Sequence, residues 1–188
     1  MNSESQDPQF YPREGVAYHG TDIEAARKIV DEQKFNVGNH PRLWYGSGCY
    51  LYENGSYEGW ESAEMHCRRF KKLADVCVLK ATYKSQKCLD LNKHANFGFL
   101  TNRIYPLLIE KASKETPELV EKISLSDVLA HWLSADTEID AVRGTSFEGE
   151  VFRGNEKPGK HYPANVLLDV QNILCIKKSE AIQSVDFL

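Results

Sequence analysis

Residues 15–33 constrain the fold most, because they read as a strand that turns directly into a helix. Gly15-Val16-Ala17-Tyr18-His19-Gly20 is a short β-prone run halted by glycine. Thr21-Asp22-Ile23-Glu24 follows as a capping-box pattern and predicts a helix over 22–33. Ile23, Ala26, Ile29 and Val30 give that helix an apolar stripe at helical spacing. The first unit is therefore strand, tight turn, helix.

Residues 1–14 read as a polar lead-in, flexible or draped on the surface. After a glycine- and proline-bearing loop over 34–47, residues 48–52 read as a second strand and 60–74 as a helix with Ala63, Cys67, Phe70 and Leu73 on one face. The clearest core strand is 76–83, and a shorter one covers 88–91. From 98 to 135 the pattern turns helical, with segments at 102–112 and 124–133. It returns to β at 139–143, near 147–152, at 166–169 and at 173–176, with an exposed loop over 154–160. β-rich, then helical, then β-rich is the order of an α+β fold rather than of regular βαβ winding. A chain of 188 residues fits one such domain, taken as 15–188.

Composition narrows the function classes. A net charge of −4 argues against a surface that is wholly a nucleic-acid footprint, although one local basic groove is compatible with it. Five cysteines form no CxxC pair, and the odd count, with a polar N-terminus lacking an apolar signal region, leads us to expect reduced thiols in a cytoplasmic protein. No apolar run approaches the roughly 20 residues a membrane helix needs. His66, Cys67 and Cys49 lack the spacing of a metal site, so no metal is expected. The basic run Arg68-Arg69-Phe70-Lys71-Lys72 reads as a solvated helix face, with attraction of a phosphate backbone or an acidic partner as the alternative.

Two segments carry residues suited to chemistry. In Tyr18-His19-Gly20-Thr21, the imidazole can donate to a ribose hydroxyl, and the glycine lets backbone N–H and C=O approach a planar amide. In Gly46-Ser47-Gly48-Cys49-Tyr50, the tyrosine can stack on a flat heterocycle. The two glycines are not a dinucleotide fingerprint, since they precede a strand and lack the third glycine. Each segment alone is better accounted for by structure, the first by a capped helix and the second by a core tyrosine.

Taken together and in order, His19-Gly20-Thr21, Gly46-x-Gly48-x-Tyr50 and Ser62-Ala63 resemble the ADP-ribosyltransferase superfamily, in its His-Tyr-Glu, poly(ADP-ribose)-polymerase-like branch. The resemblance spans about residues 15–178 and implies a split antiparallel β-sheet core, with 98–135 as a helical insertion. It implies NAD as co-substrate. Gly20 would hold the nicotinamide carboxamide through its backbone, with Ser62 as a second contact. Tyr50 would stack on the nicotinamide ring, while His19 would bind a ribose hydroxyl with Thr21 nearby. Tyr45, Tyr57 and Trp60 are candidates for a second stacking ring. The catalytic carboxylate is expected from Glu150, in the Glu148-x-Glu150 pair, with Glu148 and Asp169 as alternatives. Its task would be to fix the ribose 2′-hydroxyl and offset the positive charge that develops as the nicotinamide–ribose bond breaks. Arg27, Lys28 and Arg42 lie near enough in sequence to neutralise a pyrophosphate.

The expected activity is mono-ADP-ribosyl transfer to a macromolecular acceptor, protein, RNA or DNA. By analogy with the family this would be a toxin or phage-defence effector restrained by an antitoxin partner. The competing expectation is a non-catalytic NAD or ADP-ribose binding module. A relative transferring a 2′-phosphate to NAD would need a stronger arginine-rich site than this chain carries.

Overall fold

The computed structural model describes residues 7–36, 45–55, 57–115, 132–133, 138–147 and 170–188. Strand β1 runs from Phe10 to Thr21 and helix α1 from Ile23 to Glu32; β2 spans Cys49–Glu53 and helix α2 Gly59–His66. The long strand β3 covers Cys77–Asp90, and the helices α3 (His94–Phe99) and α4 (Tyr105–Glu115) follow it. Strands β4 (Ala141–Phe147), β5 (Val170–Ile176) and β6 (Ile182–Phe187) complete the described elements.

The fold is α+β, built on a mixed sheet closed into a barrel. The ring runs β1–β2–β5–β4–β3 and returns to β1, with β6 added along β3. All described pairings are antiparallel except β3–β4, where Cys88–Asp90 run parallel to Ala141–Arg143. A split antiparallel sheet was expected; the described strands instead close, because β3 is long enough to pair β1 on one edge and both β6 and β4 on the other. The segments expected as two strands at 76–83 and 88–91 are this one strand. It survives the break in alternation through a bulge opposite Tyr11/Arg13, where one Asp140 carboxylate oxygen accepts the N–H groups of Gln86 and Lys87 at 3.0 and 2.9 Å.

Other boundaries shift for local reasons. β1 starts at Phe10, inside the expected lead-in, because residues 10–14 pair with 84–89 of β3. Helix α1 is capped by Asp22, whose side chain accepts from Ala25 N at 2.8 Å, so Thr21 remains in the strand. Its far end stops at Gln33 in the left-handed region (φ 50°), and the Gln33 amide pairs both ways with the Val185 backbone of β6.

Two apolar layers cover the two faces of the strands. Ala17, Leu51, Leu79, Ala81, Leu174 and Val185 pack with Ala26 and Ile29 of α1. Tyr52, Leu89, Val142, Ile173 and Cys175 pack with Ala63 of α2 and Leu100 beyond α3. Glu53 is buried among Arg13, Tyr83 and Arg143: Arg13 Nη2 lies 2.9 Å from it and Arg143 Nε 2.6 Å, and Arg143 also reaches Asp90 at 3.3 Å. Among the described residues, no helix is long and apolar enough to cross a membrane.

Candidate functional site

Strands β1 and β2 share a single paired register, Tyr18 opposite Tyr52. Beyond it, residues 19–21 and 48–50 separate, and a cavity of about 560 Å³ opens between them. That volume lies within the roughly 300–1,000 Å³ typical of small-molecule sites. His19, Gly20 and Thr21 form one wall and Cys49 and Tyr50 the other. Helix α2 and its extension close a third side with Ala63, His66, Cys67, Phe70 and Lys71, while Ile29 and Phe35 close the fourth.

The structure thus brings His19, Gly20, Thr21 and Tyr50 to one cleft. Nδ1 of His19 lies 2.9 Å from the carbonyl oxygen of Tyr50, so this nitrogen carries the hydrogen and donates. Burial, with a smaller contribution from the charge of Lys71, lowers the His19 pKa to about 4. The ring is neutral at pH 7, and Nε2 keeps its lone pair. This corrects the expected role: toward a hydroxyl in the cavity, His19 accepts a hydrogen bond rather than donating one.

Tyr50 is pinned by its own loop. Its hydroxyl accepts from Tyr45 N at 2.8 Å and donates to the Gly46 carbonyl at 2.9 Å, and its ring lies near-parallel to Tyr45 at 6.2 Å between centroids. Burial pushes the phenol well above its ordinary pKa, so it stays protonated and offers a ring face, not a base. The two glycines of this segment serve the turn: Gly46 takes φ 73°, and a methyl on Gly48 would meet Cys175 Sγ at 2.3 Å.

Gly20 is required by packing as well. A methyl there would lie 2.4 Å from the Ala63 carbonyl oxygen and 2.8 Å from Cys67 Sγ, so α2 can cross β1 only over a glycine.

Ser62 does not join the wall. It is buried on α2 and is not among the residues lining the cleft. Of the aromatic candidates, Tyr45 stacks on Tyr50 from the buried side, Tyr57 is exposed, and Trp60 lines a shallow depression with Glu61, Met65 and Arg68 instead. Arg27 and Lys28 lie on the exposed side of α1, where Lys28 faces Glu32. Glu148, Glu150, Asp169 and Arg42 lie outside the described residues.

The aromatic walls that sequence reasoning missed are Phe35, Tyr52, His66 and Phe70. Phe35 meets the His19 ring edge-on at 5.2 Å, and Tyr52, His66 and Phe70 form a tilted series with 5.6 and 5.1 Å between successive centroids. Phe70 was visible on an apolar helical stripe, but the same stripe describes an ordinary core face. Phe35 sits in a loop, where no periodicity marks it.

Lys71, expected only as part of a basic helix face, also lines the cleft. Its Nζ donates to the Gly20 carbonyl at 3.2 Å across the cleft. Cys49 and Cys67 line the same space, but burial raises both thiols, Cys67 despite the nearby lysine, so neither is a thiolate nucleophile at neutral pH. Among the described residues, no group of three or more His, Cys, Asp or Glu side chains could hold a metal ion.

No family model and no curated protein matches the chain. The site is therefore read from its own chemistry: a neutral imidazole acceptor, aromatic faces, open strand edges and one ammonium group.

Proposed function

We propose that the chain is a mono-ADP-ribosyltransferase that cleaves NAD in the cleft between β1 and β2. The observation that carries this reading is the convergence of His19, Gly20, Thr21 and Tyr50 on one cavity at the point where the two strands part. The sheet edges there leave backbone donors and acceptors for a carboxamide. The Tyr50 ring gives a flat apolar face for a pyridinium. Nε2 of His19 accepts from a ribose hydroxyl, and its neutrality avoids setting a second positive charge beside the pyridinium.

In the reaction, the bond between nicotinamide nitrogen and ribose C1′ breaks and nicotinamide leaves with the bonding electron pair. The positive charge left at C1′ is met by the carboxylate assigned to Glu150, and the acceptor nucleophile bonds to C1′ as its proton passes to solvent. A fixed anion stabilises this charge more in the transition state than in the ground state.

The test is nicotinamide release from NAD by the wild type and by Glu150→Ala, with labelled NAD offered alongside separate protein, RNA and DNA pools. The enzyme reading expects release, label retained in one pool, and a rate lower by about 10²–10³ in the variant, as for loss of other preorganised electrostatic groups. NAD that binds but is neither cleaved nor transferred would replace the enzyme with a binding module. Absence of NAD binding would end both.

A further inference from the structure

Lys71 occupies an unusual position for a residue in a basic surface run. Helix α2 passes into a π-helical turn over Cys67–Lys71, closed by the Lys72 N–H on the Cys67 carbonyl, and Lys72 ends it in the left-handed region at φ 59°. The wider i→i+5 turn rotates Lys71 back over the face of Ala63 and Cys67, the face that lies against Gly20. Single π-turns of this kind are frequent at functional sites.

The ammonium so placed donates to the Gly20 carbonyl and also hydrogen-bonds the Cys67 thiol, both neutral partners. The described cavity wall carries no Asp or Glu. Lys71 is thus the cation of a cavity otherwise lined by neutral groups. It also holds the acceptor that a nicotinamide carboxamide would use.

We propose that Lys71 is the anion-binding residue of the cleft and exchanges partners on ligand binding: it leaves the Gly20 carbonyl for the pyrophosphate of an ADP-ribosyl group and frees that carbonyl for the carboxamide. The proposal rests on the dinucleotide reading of the cleft. Two physical arguments drive the exchange. An ammonium hydrogen-bonded to two charged phosphate oxygens is held more strongly than one on a neutral carbonyl and thiol. An ammonium left at the carboxamide position would repel the positive pyridinium, so the two cannot share the subsite. The flexible four-carbon stem gives the reach. Lys71 acts here as a binding and positioning residue, and it needs no proton transfer.

The exchange predicts opposite responses to the two halves of NAD. Binding of NAD, ADP-ribose and nicotinamide is measured separately by calorimetry for the wild type, K71M and K71R. K71M is expected to weaken ADP-ribose about ten-fold or more, the loss of a charge-assisted contact. It should leave nicotinamide binding equal or tighter, since the Gly20 carbonyl is then free. K71R should retain most of the ADP-ribose affinity. ADP-ribose bound equally by wild type and K71M would overturn the assignment of Lys71 while leaving the NAD reading standing. Equal weakening of ADP-ribose and nicotinamide would overturn it too, as the mark of a purely structural lysine. A wild type that binds none of the three ligands would remove the dinucleotide reading itself.

Should K71M fail to fold, a salt titration of the wild type gives the same discrimination. ADP-ribose affinity should fall as ionic strength rises, and nicotinamide affinity should not. Matching salt dependence for both would count against the exchange.

Discussion

The Nδ1 hydrogen of His19 is held by the carbonyl oxygen of Tyr50 at 2.9 Å, which ties the first strand to the second across the mouth of the cleft and fixes the imidazole tautomer. His19 and Tyr50 are therefore joined before any ligand arrives, one through its side chain and the other through its backbone.

This arrangement has a pH signature. The folded His19 pKa is lowered from 6.5 to about 4, so between those values the unfolded chain binds a proton that the folded chain does not. Its contribution is fully present above about pH 6.5 and is lost as pH falls toward 4, on the order of 3 kcal/mol in all. Urea unfolding of the wild type and of His19→Asn across this range checks it. Asn keeps a donor for the Tyr50 carbonyl but does not titrate, so the stability difference between the two proteins should depend on pH in this window. A constant difference would show that the imidazole is not desolvated.

Gly20→Ala should destabilise the fold by about 2–3 kcal/mol, in the range of overpacked interiors. The added methyl meets the Ala63 backbone at 2.4 Å, and a helix backbone cannot give way as a side-chain tip can. The midpoint of denaturant unfolding reads this directly, and a neutral result would mean that α2 does not rest on β1. Its ligand-binding effect should be larger than its effect on stability, because any movement of α2 displaces His66, Phe70 and Lys71 together.

Arg143→Met should cost about 3–5 kcal/mol, because it leaves Glu53 and Asp90 buried with fewer counter-charges. Burial alone would raise the Glu53 carboxyl, but hydrogen bonds from Tyr83 and Arg143 and the charge of Arg13 outweigh it and hold it below its ordinary value. The corresponding stability is present above the usual carboxylate range and is lost as pH falls through the lowered pKa. Adding Glu53→Gln to Arg143→Met should recover part of the loss, since it removes the stranded charge. A double-mutant cycle with no coupling would show that the pair does not interact in solution.

Much of this was legible locally. The run into Thr21 and the capped stripe of α1 predicted a strand and helix that the structure shows, because apolar periodicity reports which face of an element is buried. The pairing of His19 with Tyr50 in one cleft was legible only as an ordered set of short motifs. Less visible was β6, whose Ile182–Phe187 alternates weakly and is held as a strand by β3. Motif order likewise says nothing of which side chains of α2 line the cleft, and Ser62 is not among them.

By itself, the amino-acid order determined the α+β class and the first strand–turn–helix unit. Only the tertiary structure decided that β3 closes the ring by pairing β1, that β3 and β4 run parallel, and that Lys71 turns inward over Gly20. The physical reason is that hydrophobic patterning acts over a few residues and selects a face, whereas strand partners and the direction of one ammonium are selected by segments distant in the chain that must pack at the same time.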